Sequence, residues 1–282
     1  MDWLQALLLG LVQGLTEFLP VSSSGHLMIV RGLLGVDAEG FLDFTVTVHL
    51  ATVLSTIVVF WKPICRLIAG LFKFKYNDET DYVFKIIVSM IPVALVGFLF
   101  KDKVEALFGD SLVTVAVCLL VTAVLLFLSD LFGKSGNPAP EPVEGAALSS
   151  VEGPRNGISF WQALVVGLGQ ACAVAPGLSR SGTTIAVGLL SGVRRNVIAQ
   201  FSFLMVLVPI LGEQMLDILK AATGQAALGG GLSPLCLVAG FVSAFLAGLF
   251  ACRVMVELVR KARLGWFALY CAVVAVLLFI FA

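Results

Sequence analysis

Six apolar runs, each close to the length a helix needs to cross about 30 Å of hydrocarbon, constrain this chain more than any other feature. They cover residues 42–61, 83–100, 111–132, 197–219, 235–252 and 264–281. Charged residues make up only 13% of the sequence, against about 25% in a soluble domain, and mean hydropathy is +1.04. The pattern predicts an all-α, polytopic membrane protein with membrane lipids as its surroundings. Charge excludes a second class of function. The 18 basic and 18 acidic side chains cancel, whereas a nucleic-acid binder clusters Lys and Arg against the phosphate backbone. The N-terminus, Met1-Asp2-Trp3, lacks the basic patch and small-residue cleavage site of a secretory signal and is expected to be retained. The six cysteines (Cys65, Cys118, Cys172, Cys236, Cys252, Cys271) lie in or beside apolar segments without a Cys-x-x-Cys pair. They read as small buried hydrophobes rather than a disulfide framework or zinc site.

The chain also repeats itself. Ala6-Leu7-Leu8-Leu9-Gly10-Leu11-Val12-Gln13 recurs as Ala163-Leu164-Val165-Val166-Gly167-Leu168-Gly169-Gln170. In the same register Ser22, Ser24 and Gly25 fall on Ser179, Ser181 and Gly182, and Phe44, Leu50 and Leu54 fall on Phe201, Leu207 and Leu211. Each copy opens with a segment, 3–35 or 160–193, that is apolar at its ends and broken by Pro, Gly and Ser in the middle. Such a segment is predicted to form a re-entrant hairpin of two half-length helices, since non-helical backbone survives at membrane depth only where protein or a watery cavity covers it. Three full spans follow each hairpin, and an odd number inverts the second copy. The expected organisation is one membrane domain, 1–282: repeat one over 1–132, a cytoplasmic linker over 133–158 carrying Pro138, Pro140, Pro142 and Pro154, and repeat two over 159–282. Basic residues agree with this. Twelve of the eighteen fall on the linker side; only Arg31, Lys101, Lys103 and Lys220 fall opposite, while Lys85 and Arg180 lie within the membrane. By the positive-inside rule both termini are outside.

The polar chemistry is concentrated in the two hairpin turns. The first runs Gln13-Gly-Leu-Thr-Glu17-Phe-Leu-Pro20-Val-Ser22-Ser23-Ser24-Gly25-His26, the second Ala175-Pro176-Gly177-Leu178-Ser179-Arg180-Ser181-Gly182-Thr183-Thr184. Inverted copies bring both to the middle of the bilayer from opposite faces. The return helix of each hairpin starts at the serines, so unpaired backbone N–H groups and the positive end of the helix dipole point at the junction, a setting suited to an anion. Arg180 adds a planar fork for a phosphoryl group, and Gly25 and Gly182 let backbone approach closely. Helix capping alone would explain Ser-Ser-Ser-Gly, and a structural ion pair alone would explain Glu17 with Arg180. Neither accounts for Glu17, His26 and Arg180 together, since each ionisable group at the bilayer centre costs about 2.5 to 3.5 kcal/mol. Arg180 and the helix ends can hold phosphate charge, a serine can attack phosphorus, His26 can move a proton, and Glu17 can act as base or bind Mg²⁺. Sequence does not order these roles, and a transporter could use the same anion clamp. His49, among Leu50, Thr52 and Leu54, reads as a packing residue, and Glu213 and Asp217 as interfacial or entrance groups.

These two motifs closely resemble those of the undecaprenyl-diphosphate phosphatase (bacitracin resistance) family, and the resemblance runs over nearly the whole chain. It implies hydrolysis of undecaprenyl pyrophosphate to undecaprenyl phosphate and inorganic phosphate, a polyprenyl pyrophosphate lipid substrate, a bacterial inner-membrane location, a site open to the periplasmic side, stimulation by a divalent cation (Mg²⁺ or Ca²⁺) and a possible homodimer. By motif position it assigns function to Glu17, Ser23, His26, Ser179, Arg180 and Thr184, with Ser23 or His26 as nucleophile and Arg180 as phosphate clamp. Gln13, Ser22, Ser24, Gly25, Ser181 and Gly182 complete the expected phosphate-binding set. The family carries Glu or Gln at position 13; Gln13 holds no charge, which weakens a metal site of two carboxylates and leaves Glu17 as the metal ligand. The phosphatidic-acid phosphatase type 2 superfamily, with similar Ser-Gly-His and Ser-Arg elements, needs a second histidine after Arg180, and none follows.

Overall fold

Long apolar sequences become long helices here, even across Pro92 and Pro209, and polar interruptions end them. The computed structural model describes residues 1–37, 40–100, 111–133, 155–175, 177–222, 232–261 and 263–281. The proline-rich part of the linker, Pro176 and the side chains of Glu213 and Asp217 lie outside the described residues. Among the described residues there are eleven α-helices and no strand. They are α1 (Trp3–Thr16), α2 (Ser23–Leu33), α3 (Phe41–Val59), α4 (Trp61–Leu71), α5 (Asp78–Leu99), α6 (Leu112–Phe132), α7 (Phe160–Cys172), α8 (Arg180–Leu190), α9 (Arg195–Ala222), α10 (Pro234–Lys261) and α11 (Gly265–Phe281).

Four helices, α5, α6, α9 and α10, are long and apolar enough to cross a membrane. The run expected at 42–61 is interrupted. It forms α3, then the chain bends by 75° at Phe60 into α4, and the two count as a fifth span only if taken together. The helix α4 carries Lys62 and Arg66 on the same short segment as the exposed Trp61 and Ile68, the two-sided pattern of a helix lying at an interface. The last run, expected at 264–281, gives the 17-residue α11, about 26 Å long at 1.5 Å per residue. Large apolar side chains such as Phe127, Leu131, Leu246 and Phe250 are more than half exposed, a surface that lipid accepts and water does not. Cys236, Cys252 and Cys271 are buried as expected, but Cys65 and Cys172 are exposed, because each falls on the outer side of its helix.

The hairpin segments form pairs of helices too short to span. At 1.5 Å per residue, α1 reaches about 21 Å and α2 about 17 Å. Their starts are built alike. Asp2 caps α1 in a reciprocal box with Gln5, and Ser159 caps α7 in the same way with Gln162. Each glutamine then fastens the far end of the returning helix. Gln5 Nε2 donates to Leu34 O at 3.0 Å, and Gln162 Nε2 donates to Ser191 O at 3.0 Å. In both pairs the chain therefore leaves close to where it entered.

Each pair leans on the other half of the chain. The helices α1 and α3 pack on α10, α7 and α9 pack on α5, and α6 runs along α11. Glycine permits the closest of these contacts. A Cβ on Gly10 would stand 2.3 Å from Gly240 O, and one on Gly167 would stand 2.2 Å from Ser89 O, the small-residue packing by which membrane helices approach backbone to backbone. Three apolar clusters result, one holding Phe18 with Phe201 and Met205, one Leu27 with Phe44 and Val48, one Val21 with Leu119 and Cys271. Phe18, Val21 and Leu27 all flank the first polar turn, which therefore sits where the three cores meet.

Candidate active site

Glu17 caps the C-terminal end of α1, its N–H donating to Gln13 O at 3.0 Å. Its carboxylate is the hub of the site. One turn back, Gln13 Nε2 donates to Oε2 at 2.9 Å. From the first residue of α2, Ser23 Oγ donates to the same oxygen at 2.5 Å. From the first residue of α8, an Arg180 guanidinium nitrogen donates to Oε1 at 3.0 Å. The two turns expected to meet do so at this carboxylate. Its side chain is 9% exposed, while that of Arg180 is 29% exposed, so the guanidinium keeps donors free of Glu17.

The serines divide into caps and clasps. Ser22 caps α2 by accepting Gly25 N–H at 3.3 Å, and Ser179 caps α8 by accepting Gly182 N–H at 3.0 Å. To reach its place Ser22 adopts a left-handed φ of 69°, a conformation unusual for a residue with a side chain. The clasps run between turns. Gly177 N–H donates to Ser24 Oγ at 3.3 Å, and Ser181 Oγ donates to Leu19 O at 3.2 Å. Gly25 and Gly182 are close-approach points, since a Cβ on Gly25 would lie 3.0 Å from a Val115 methyl and one on Gly182 would lie 3.2 Å from Pro20 Cβ. Thr184 Oγ1 donates back along its own helix to Arg180 O at 2.9 Å. With their side chains so engaged, Ser22, Ser179 and Thr184 shape the site, and the backbone N–H groups of Ser23 and Ser24 on α2 and of Arg180 and Ser181 on α8 remain as anion donors.

His26 stands apart from the Glu17 hub, and among the described residues no hydrogen bond joins it to Glu17 or Arg180. Its Nδ1 lies 2.8 Å from Ser22 O and its Nε2 lies 2.8 Å from the hydroxyl of Tyr270 on α11. A carbonyl can only accept, so Nδ1 carries a hydrogen and Nε2 of the neutral ring accepts from Tyr270. The two rings stack with centroids 5.6 Å apart. The histidine that does reach the hub is His49, whose Nε2 lies 3.7 Å from Glu17 Oε2 while Nδ1 donates to Thr45 O at 2.9 Å. Sequence reasoning took His49 for packing because its neighbours are apolar, and nothing local identified Tyr270. A narrow cavity opens beside Glu17 and Arg180 and continues between α3 and α9 past Thr52, Thr56, Ser202 and Phe203.

Fold and site together define a multi-pass, all-helical membrane protein with a carboxylate–guanidinium–hydroxyl centre enclosed among its helices. The sequence profile of the family described as bacitracin resistance protein BacA matches residues 6–277, and the chain belongs to that family. A relative from Bacteroides fragilis is 50% identical over 276 residues, covering 98% of this chain and 97% of its own. One from Bacteroides thetaiotaomicron is 50% identical over 273 residues, covering 97% and 96%. One from Christiangramia forsetii is 43% identical over 284 residues, covering 100% and 99%. All three are named undecaprenyl-diphosphatase.

Proposed function

We propose that this chain hydrolyses undecaprenyl diphosphate to undecaprenyl phosphate and inorganic phosphate, recycling the lipid carrier of cell-wall synthesis. The observation that carries the reading is the convergence of Ser23 Oγ and Arg180 on one buried carboxylate at the N-terminal ends of two helices. A hydroxyl hydrogen-bonded to a carboxylate is a nucleophile beside its base. In the proposed sequence Ser23 Oγ attacks the terminal phosphorus and its proton passes to Glu17 Oε2. The bond from that phosphorus to the bridging oxygen breaks, and the lipid phosphate leaves with the bond's electron pair. Water then attacks the phosphoserine; the bond from phosphorus to Ser23 Oγ breaks, Glu17 returns its proton to that oxygen, and dihydrogen phosphate departs carrying both of the water's protons. Arg180 and the N–H groups of α2 and α8 hold the phosphoryl oxygens throughout. His26, held by Tyr270 and the Ser22 carbonyl, fixes the turn that presents Ser23 and can pass a proton at Nε2.

A divalent cation fits this donor set only if the substrate shares it. Glu17 is the one carboxylate at the hub, and Gln13 Oε1 is buried without a partner; among the described residues no group of three or more His, Cys, Asp or Glu gathers as a metal cage. These two residues would hold a Mg²⁺ or Ca²⁺ whose remaining ligands are phosphate oxygens, and the ion would neutralise phosphoryl charge.

The proposed setting is a bacterial inner membrane, with α1–α2 and α7–α8 as re-entrant hairpins of two inverted repeats, the site open to the periplasmic side and both termini outside. The matching glutamine ties at Leu34 and Ser191 and the basic residues on the α4 side support it. The meeting of paired short helices also suits a transporter. Purified protein should release phosphate from undecaprenyl diphosphate, with losses of about 100-fold or more in Ser23→Ala and Glu17→Gln. A loss below about tenfold in both would remove their catalytic roles, and lipid-phosphate flux across sealed vesicles that survives Ser23→Ala would favour transport.

A further inference from the structure

Ser202, on α9, belongs to neither polar turn and carries no role in the chemistry above. It lines the cavity that Glu17 and Arg180 open into, it is 1% exposed, and its hydroxyl has no hydrogen-bond partner. A serine within a helix ordinarily donates back to a carbonyl of the preceding turn. Thr52 and Thr56, which face the same cavity from α3, do so, at 2.8 Å to His49 O and 3.0 Å to Thr52 O. Ser202 alone of the three leaves a buried donor unused, and an unsatisfied buried hydroxyl costs stability rather than adding to it. The rest of the wall near it is apolar, including Phe203, Val206 and Leu207, so packing would favour alanine here. A residue that stability disfavours, placed beside an anion clamp and holding a free O–H, fits a ligand that brings an acceptor.

Resting on the function proposed above, we propose that Ser202 is a substrate-binding residue whose hydroxyl donates to a phosphate oxygen of the diphosphate held by Arg180. It supplies the anion with a donor from a third element, α9, in addition to α2 and α8. The isoprenoid tail then has an apolar wall directly beyond it, in Val206, Leu207 and Ile210.

The test separates binding from structure. Wild-type protein and Ser202→Ala and Ser202→Thr variants are purified in detergent. Tm is measured with and without inorganic pyrophosphate, and kcat/KM is measured on undecaprenyl diphosphate. Removing a hydrogen bond to a charged group should lower kcat/KM by about ten- to a hundredfold in Ser202→Ala. The Tm of the unliganded variant should be unchanged or raised, its stabilisation by pyrophosphate should shrink, and Ser202→Thr should recover binding. Unchanged kcat/KM and an unchanged pyrophosphate shift in Ser202→Ala, in a preparation whose wild type hydrolyses the lipid, would overturn the role of Ser202 and leave the activity standing. A fall in unliganded Tm without a change in the pyrophosphate shift would make Ser202 a packing residue and likewise overturn it. A wild type that neither hydrolyses the lipid nor gains stability from pyrophosphate would overturn the functional reading itself.

Discussion

Arg180 is asked to do two things, to balance Glu17 and to hold the substrate, and one pair of substitutions pulls them apart. The nitrogen–oxygen distance is 3.0 Å and both side chains are largely buried. At an effective dielectric near 20 the direct attraction is about 5.5 kcal/mol, most of it offset by taking two charges out of water. Arg180→Ala abandons the carboxylate without its cation, which costs about 3 to 5 kcal/mol. Glu17→Gln on top of it removes the stranded charge, so the double variant should regain most of that loss while the anion clamp stays absent. Reversible unfolding in mixed detergent should therefore give a coupling energy of 2 kcal/mol or more, at the upper end of what contacting pairs show, about 0.5 to 3 kcal/mol. Phosphate release should stay at least about 100-fold below wild type in both variants, the usual loss when one preorganised donor to a developing oxyanion is removed. Additivity within about 0.5 kcal/mol would mean that the two residues do not stabilise each other. Phosphate release within about tenfold of wild type in Arg180→Ala itself would show that Arg180 only braces Glu17.

Three further outcomes follow from single contacts. Tyr270→Phe keeps the ring stacked on His26 but removes the hydroxyl 2.8 Å from Nε2; it should lower stability by about 1 kcal/mol and reduce kcat more than it raises KM, measured by initial rates against lipid concentration. Gly10→Val and Gly167→Val push side-chain atoms into backbone oxygens now 2.3 and 2.2 Å from the position of a Cβ, and each should destabilise by about 1 to 3 kcal/mol or more in a chemical unfolding titration. Cys65 is exposed on α4, so in a variant keeping it as the sole cysteine, a membrane-impermeant maleimide should label inverted vesicles and spare intact cells; labelling of intact cells would reverse the proposed orientation.

Much of this molecule could be read from its sequence because the bilayer punishes local errors. The apolar runs gave α5, α6, α9 and α10, since backbone groups in hydrocarbon must bond within their own helix. Serines placed after proline or glycine were read both as caps and as site residues, and Ser22 and Ser179 do cap their helices. The pairing of Glu17 with Arg180, kept open as a structural alternative, is present alongside the Ser23 contact. What escaped reading depends on distant partners. The run at 42–61 matches α3 and stops there, and Pro63, which lacks the N–H that would bond Val59 O, marks the break; that the chain resumes as the helix α4 at 75° is not written in the apolar pattern. His49 sits among apolar neighbours on α3, and only the packing of α1 against α3 carries Glu17 to within 3.7 Å of it. Tyr270 lies on a helix remote in sequence from His26, and Ser202 becomes conspicuous only once its hydroxyl is found without a partner.

The two hairpins also explain why the chemistry is lopsided. In the register of the internal repeat, Ser23 and Arg180 occupy the same position, the first residue of the returning helix, and both reach the one carboxylate of Glu17. The register slips by one near Pro20 and Pro176, so Glu17 falls on Val174 or Ala173, neither of them acidic, and His26 falls on Thr183. A symmetric pair of hairpins would have placed two arginines, at the positions of Ser23 and Arg180, around one carboxylate in a low-dielectric interior, where like charges repel strongly. Dividing the charges, acid and nucleophile on one copy and cation on the other, converts that repulsion into the contact that joins the turns. Val174→Glu tests the point. Val174 is partly exposed, so a carboxylate there should fail to improve activity and should lower stability, measured by unfolding in detergent. Gain of activity without loss of stability would mean that the second hairpin tolerates an acid and that the division of charge is not what holds the turns together.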